Sequence, residues 1–140
     1  MEQWLEDAYR SLEKMPENGK DIRNRALIDL GFFAKLVNPG YVYGDIHMML
    51  FKELENYTLY GKGEGLTSNK LILLPRAHLK SHIVATWAAW MITRHPEITI
   101  LYVSATAELA ETQLYAIKNI LASNVFMRYF PEYINPQEGN

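Results

Sequence analysis

The chain has 140 residues, 49% of them hydrophobic, a formal net charge of −2 and no cysteine. This composition allows one globular domain and excludes a disordered chain, a disulfide framework and a cysteine-based zinc site. The near-neutral charge does not indicate a large DNA-binding patch. The N-terminus is charged throughout, and no apolar run reaches about 18 residues. We therefore expect a cytosolic protein without a signal peptide or a membrane span.

Apolar residues recur at helical spacing in the first part of the chain. Three helices are predicted, at residues 4–12, 22–37 and 46–54. Asp21 is expected to cap the second helix and Asp45 the third, because aspartate accepts from the free N–H groups of a helix start. We interpret residues 1–60 as a helical N-terminal segment whose apolar stripes pack in a core, and residues 61–70 as a loop.

The following stretch, residues 71–104, reads LILLPRAHLKSHIVATWAAWMITRHPEITILYVS. It contains an apolar run, a turn, a helical stretch and a second apolar run, at residues 71–74, 75–81, 82–94 and 98–103. Short apolar runs between chain breakers are typical of strands that are covered on both faces. This order predicts a parallel βαβ unit, with a further amphipathic helix at residues 106–121 packed on the sheet, and so an α/β fold class.

Lys80 and Ser81 lie where the first predicted strand gives way to the helix. The free N–H groups of a helix start and a lysine side chain converge at such a junction, and together they can hold the phosphates of a nucleotide. The usual phosphate loop reads Gly, four residues, Gly-Lys-Ser/Thr, but Leu74 and Leu79 occupy the glycine positions. These residues alone support nucleotide binding and a solvated basic helix start equally.

The pattern Arg76-x-x-x-Lys80-Ser81 after an apolar run resembles the deviant Walker A motif of the large terminase subunit. That protein is the ATP-driven motor that packages DNA into the capsids of tailed phages and herpesviruses. The chain departs from the family pattern at Leu79, where relatives have glycine before the lysine, and at Ala77, where many have glycine.

The resemblance extends through residues 71–121 and is greatest to the maturase-type motors of short-tailed phages. It includes the helix with Trp87 and Trp90, the connection at residues 95–97 and the run at residues 100–105. It implies the Walker A half of a P-loop NTPase of the additional-strand type at residues 71–140, preceded by the N-terminal helices.

The resemblance also implies a site for ATP and Mg²⁺. Lys80 would contact the β- and γ-phosphates, Ser81 would ligate Mg²⁺, and Arg76 would couple hydrolysis to DNA movement, so Arg76 and Lys80 are the catalytic candidates. The candidate nucleotide-binding residues are Pro75, Arg76, Ala77, His78, Leu79, Lys80, Ser81 and His82. A segment upstream resembles the family's adenine-recognition segment, with Asp45 in place of its glutamine and His47 two residues later. The alternative is that Asp45 caps a helix and His47 lies on the surface.

A complete motor of this family needs a later strand ending in Asp-Glu, which holds magnesium and activates water. All four aspartates, Asp7, Asp21, Asp29 and Asp45, precede Lys80. We therefore expect an N-terminal fragment of the motor that lacks the Walker B strand and the nuclease domain and does not hydrolyse ATP alone.

The partners implied by the resemblance are double-stranded DNA, the portal protein and procapsid, the small terminase subunit and further copies in a ring, all in the host cytoplasm. Two alternatives stay open. The chain is a small non-enzymatic phage partner protein that uses the βαβ unit as a scaffold, or it belongs to another P-loop ATPase such as a helicase.

Overall fold

The structure, a computed structural model, describes residues 2–56 and 70–133. Helices account for 68% of these residues and no strand is present among them. The helices are α1 (Gln3–Glu13), α2 (Glu17–Ile28), α3 (Leu30–Val37), α4 (Asp45–Glu55), α5 (Lys80–Arg94), α6 (Ala107–Leu121), α7 (Asn124–Tyr129) and a final 3-10 turn (Pro131–Tyr133). The described part of the chain is all-helical, so the predicted α/β class with a parallel βαβ core is wrong.

Helix α5 lies at the centre of the core and contacts α2, α3, α4 and α6. Its buried residues include Ile83, Ala89 and Trp90, each fully excluded from solvent. The Trp90 indole nitrogen donates to the Ala26 carbonyl oxygen in α2 at 2.8 Å, and the Trp87 indole donates to Leu54 in α4 at 3.1 Å. These bonds satisfy one buried donor and one partly buried donor and fix α5 against both helices.

The predicted helix at residues 22–37 is two helices, α2 and α3, which meet at Asp29. Asp29 has an extended backbone, and its side chain accepts a hydrogen bond from the Phe32 N–H at 2.9 Å. An aspartate with this geometry caps a new helix start. Asp21, the predicted cap, lies inside α2, which begins already at Glu17.

The two apolar runs predicted as strands, residues 71–74 and 98–103, show strand-like alternation of exposure without a neighbouring strand. Ile72 and Ile100 pack against the core, whereas their neighbours are exposed to solvent. The exposed neighbours are Leu71 (84%), Leu73 (78%), Leu101 (86%) and Val103 (77%). No backbone hydrogen bond joins the two runs in the described residues. A strand requires a partner for its N–H and C=O groups, and the predicted parallel pair does not form.

Helix α6 is confirmed, with the Thr106 hydroxyl accepting from the Leu109 N–H at its start. It packs on α5 rather than on a sheet. Ile117 and Ile120 are buried, but Leu109 and Leu114, which belong to the predicted apolar face, are half exposed. The predicted apolar face is therefore only partly covered in the described structure.

Past α6, the chain folds back on the N-terminal helices. Phe126 and Phe130 are fully buried against Phe33. The Arg23 guanidinium in α2 pairs with the Glu132 carboxylate and stacks on the Phe130 ring. The last described residues therefore pack against the core.

Most of the predicted loop at residues 61–70 lies outside the described residues. Its last residue, Lys70, is described and pairs with Glu53 of α4 at 3.2 Å. No helix within residues 2–56 or 70–133 has the length and hydrophobicity needed to cross a membrane.

Candidate phosphate-binding site

The segment that connects Leu74 to the start of α5 has an unusual backbone. Ala77 (φ 66°) and Leu79 (φ 58°) adopt the left-handed conformation, and they are the only non-glycine residues with positive φ among those described. This conformation costs a side-chain-bearing residue roughly 1–2 kcal/mol. Successive turns of this kind point backbone N–H groups into one concave surface, the arrangement called a nest, which binds anions.

A single cavity of about 430 Å³ is lined by Leu74 and by all of the predicted nucleotide-binding residues, Pro75 to His82. These residues therefore line one cavity, and their role in nucleotide binding stays a prediction. The His78 ring supports the turn, since its Nδ1 lies 3.0 Å from the Arg76 carbonyl oxygen. A carbonyl can only accept, so Nδ1 carries the proton in this contact.

The start of α5 contributes further N–H groups to this cavity. The first N–H groups of a helix have no partner within the helix, and no side chain caps α5 at Leu79. The first turn of α5 also has no acidic residue. The positive end of the helix dipole therefore favours an anion at the start of α5, and no acidic residue of the first turn offsets it.

The site is cationic. Arg76 is exposed and Lys80 is partly exposed, and neither forms an ion pair with any residue in the described ranges. The exposed Ser81 hydroxyl lies in the first turn of α5. Both charges are thus available to an anionic ligand, as phosphate binding requires.

Mg²⁺ would depend on Ser81 and on the oxygens of a bound nucleotide. In the described residues no three His, Asp or Glu side chains form a group that could hold a metal ion. Magnesium is commonly bound in this way, through few protein oxygens plus substrate phosphates. The donor set fits Mg²⁺ that arrives with a nucleotide, and it does not fit a resident metal ion.

His82 anchors the end of the loop to the segment before α4. The Tyr41 ring stacks on the His82 ring with centroids 3.9 Å apart, and the Tyr43 hydroxyl lies 2.7 Å from His82 Nε2. One helical turn further along α5, the Thr86 hydroxyl donates to the His82 carbonyl oxygen and accepts from the Asn38 side-chain amide. The first turn of α5 is therefore held in place from two sides.

Burial shifts the pKa values of Tyr43 and His82. It raises the pKa of Tyr43 to about 12 and lowers the pKa of His82 below its usual 6.5. Both shifts favour the uncharged forms. The Tyr43 hydroxyl thus faces a neutral imidazole at neutral pH.

The two residues predicted at the adenine end differ in their positions. Gly44, not Asp45, precedes α4 as its cap, and Asp45 is the exposed first residue of the helix, so the predicted Asp45 cap is wrong. His47 Nδ1 accepts from the Gly44 N–H at 3.0 Å, and its Nε2 is buried without a partner in the described residues. The His47 ring meets the Tyr43 ring edge-on, 6.3 Å between centroids. His47 is thereby connected to the loop through Tyr43 and His82, whereas no such contact is present for Asp45 in the described part of the chain.

Comparison with known proteins adds nothing to this geometry. No family profile, no curated protein and no solved structure matches the chain.

Sequence reasoning missed Tyr41 and did not connect Tyr43 to His82. The signal available was the alternation of aromatic residues in Tyr41-Val42-Tyr43, directly after the helix-ending Asn38-Pro39-Gly40. Aromatic residues at every second position of a non-helical segment place two rings on one side. Nothing in the sequence states which later helix these rings meet.

Proposed function

We propose that residues 74–82 bind the phosphates of ATP, and that the chain provides the nucleotide-binding part of a viral DNA-packaging motor of the large terminase type. The observation that carries the proposal is the left-handed backbone at Ala77 and Leu79 in a cationic cavity at an uncapped helix start. Strained backbone at non-glycine residues concentrates at functional sites. The motor assignment is supported by the Arg76-x-x-x-Lys80-Ser81 pattern.

Each residue of the loop has a role in this proposal. The N–H groups of residues 77–82 hold the β-phosphate, the Lys80 ammonium neutralises the β- and γ-phosphates, and the Ser81 hydroxyl binds Mg²⁺. Magnesium, when bound, neutralises phosphate charge. Arg76 stands at the exposed edge of the loop, where its planar group can make two hydrogen bonds to a terminal phosphate.

In this proposal DNA, the portal and procapsid, the small terminase subunit and a ring of copies are partners of the whole motor. Hydrolysis would need carboxylates from elsewhere, because no aspartate follows Lys80 in the sequence. A second candidate function is a non-enzymatic phosphate-binding protein. It is favoured by the all-helical fold of the described residues, because a P-loop motor builds its site on a parallel sheet.

Binding of ATP, ADP and inorganic phosphate to the purified chain tests the phosphate site. We expect Lys80→Ala to weaken ATP binding by at least about tenfold, since one charge-assisted hydrogen bond contributes roughly 1.5–3 kcal/mol. Lys118→Ala on α6 is the matched control, because it removes an equal charge from an exposed position outside the cavity. Calorimetry that detects no ATP binding to the wild type, or equal affinity in wild type and Lys80→Ala, would refute the site.

Arg76 separates the motor from a simple phosphate-binding protein. We expect Arg76→Ala to leave ADP affinity within a few-fold and to weaken ATP binding by roughly tenfold, because its fork suits a γ-phosphate. Arg76→Lys should restore little, since an ammonium does not replace a bidentate donor. Equal losses for ADP and ATP would make Arg76 a general phosphate contact and favour the non-enzymatic candidate.

A further inference from the structure

The two ring nitrogens of His82 differ in what they contact. Nε2 lies 2.7 Å from the Tyr43 hydroxyl oxygen, and the Tyr41 ring stacks on the imidazole with centroids 3.9 Å apart. Nδ1 makes no hydrogen bond with any of the described residues, and it is not enclosed, so solvent reaches it. His82 also lines the phosphate cavity. One nitrogen is therefore held by the protein, and the other is open to a ligand.

The direction of the hydrogen bond between Tyr43 and His82 follows from the groups around it. Burial raises the pKa of Tyr43 to about 12, so the hydroxyl keeps its proton at neutral pH. A hydrogen bond with the Asn38 side chain acts the other way and lowers this pKa, which is the effect of a donor on a phenol oxygen. The hydroxyl thus accepts from Asn38 and donates its own proton to His82 Nε2, because a partly buried O–H group needs an acceptor.

We propose that Tyr43 is a positioning residue of the phosphate site: its hydroxyl holds His82 in the tautomer with the proton on Nδ1, and this N–H donates to the bound phosphate. In a neutral imidazole one nitrogen accepts and the other carries the proton, so a bond to Nε2 decides the state of Nδ1. The inference rests on the proposed phosphate site and adds an uncharged side-chain donor to the backbone N–H groups and Lys80. Tyr43 acts through His82 and needs no contact with the ligand.

The orientation of the His82 ring is set before a ligand arrives. The Tyr43 ring meets the buried Phe51 ring edge-on, with centroids 5.1 Å apart, which fixes the hydroxyl. The Asn38 amide donates to the Thr86 hydroxyl, which in turn donates to the His82 carbonyl oxygen. The ring and the backbone of His82 are therefore both held by the segment before α4. A donor that is already in place loses little conformational entropy on binding.

The two tyrosines that contact His82 provide a matched pair of variants. Tyr43→Phe removes the hydroxyl at Nε2 and keeps the ring that packs on Phe51. Tyr41→Phe keeps the stacked ring and removes a hydroxyl that forms no hydrogen bond with the described residues. If both tyrosines only packed against His82, the two variants would behave alike.

The tautomer is measured by NMR of the imidazole nitrogens at about pH 8, where a histidine with the usual pKa is neutral. The nitrogen shift distinguishes a protonated from an unprotonated ring nitrogen, and His82→Gln identifies the His82 signals by their absence. We expect the proton on Nδ1 in the wild type and in Tyr41→Phe, and a mixture of tautomers in Tyr43→Phe. A proton on Nε2 in the wild type, or the same tautomer in all three proteins, would overturn the inference.

Calorimetry with ATP at the same pH tests whether Nδ1 donates to the ligand. Tyr43→Phe should weaken ATP binding roughly three- to tenfold, the effect of losing one neutral hydrogen bond, and Tyr41→Phe should leave it unchanged. His82→Asn places an amide near the position of Nδ1, so it should bind ATP more tightly than His82→Gln, whose longer side chain extends toward Nε2.

The outcomes separate this inference from the phosphate site on which it rests. A wild type that binds ATP, together with equal affinity in Tyr43→Phe or tighter binding by His82→Gln than by His82→Asn, would overturn the role of Nδ1 and leave the site intact. A wild type that binds no ATP would refute the phosphate site and the Nδ1 contact together.

Discussion

Helix α5 and residues 98–103 follow each other along the chain and are both rich in apolar residues, yet they differ in burial and in backbone hydrogen bonding. In α5, Trp90, Ala89 and Ile83 are fully buried. In residues 98–103, every second side chain is exposed, and the backbone groups of residues 99–103 are unpaired in the described structure. A helix satisfies its own N–H and C=O groups, whereas a strand needs a neighbour to do so. Apolar composition therefore predicts burial only where the backbone can be satisfied as well.

The two regions should differ most in how much the truncation of a side chain lowers the free energy of unfolding. Trp90→Ala should lower the free energy of unfolding by about 3–5 kcal/mol, because it removes a fully buried ring and the partner of Ala26. Leu101→Ala should change it by no more than about 0.5 kcal/mol, because the side chain is already exposed. Chemical denaturation of the two variants provides both values. Comparable losses in the two variants would mean that residues 98–103 are buried in the isolated chain.

A smaller effect separates two aspartates at helix starts. Asp29→Ala should cost about 1 kcal/mol, since Asp29 caps α3 with a hydrogen bond to Phe32. Asp45→Ala should cost a few tenths of a kcal/mol, because Asp45 is an exposed first-turn residue that only interacts with the helix dipole. Thermal unfolding of both variants makes the comparison, and a reversed order would restore Asp45 as the cap predicted from the sequence.

The smallest expected effect is pH dependence at the start of α5. Burial lowers the pKa of His82 in the folded chain, so below pH 6.5 the unfolded chain binds a proton that the folded chain does not. Stability should therefore decrease as the pH falls through this value, until the pH reaches the folded pKa. His82→Gln should remove this contribution, and His78→Gln, at an exposed histidine, should retain it. Unfolding curves of the three proteins across this pH range measure it, and an unchanged slope in His82→Gln would contradict the assignment.

The helices that the sequence predicts correctly depend on local information. Spacing of apolar residues at three and four predicts the helices around residues 4–12, 46–54 and 106–121, and the length of an apolar stretch predicts the helix at 82–94. Each is confirmed within a few residues. The break at Asp29 escaped prediction because the apolar spacing of residues 22–37 continues across it. The cap is a single side-chain contact that periodicity does not detect.

The parts that could not be predicted depend on distant contacts. Pairing of two apolar runs requires long-range geometry that their composition does not contain. Positive φ at Ala77 and Leu79 is not readable from the sequence, since the residue that normally signals it is glycine. The residues that line the cavity are consecutive, so the sequence places them together, and their role in nucleotide binding stays a prediction. Their support by Tyr43 could not, because Tyr43 reaches His82 across 39 residues of sequence.

The tryptophans of α5 give this helix optical reporters of its own. Trp90 is fully enclosed by the core, and Trp87 is partly exposed, about two helical turns after Lys80. The third tryptophan, Trp4, lies on α1. A Trp4→Phe chain would therefore emit only from α5, with Trp90 sensitive to loss of the core and Trp87 to smaller movements near the loop. Ligand entry at residues 74–82 can in this way be followed by intrinsic fluorescence, without attaching a dye.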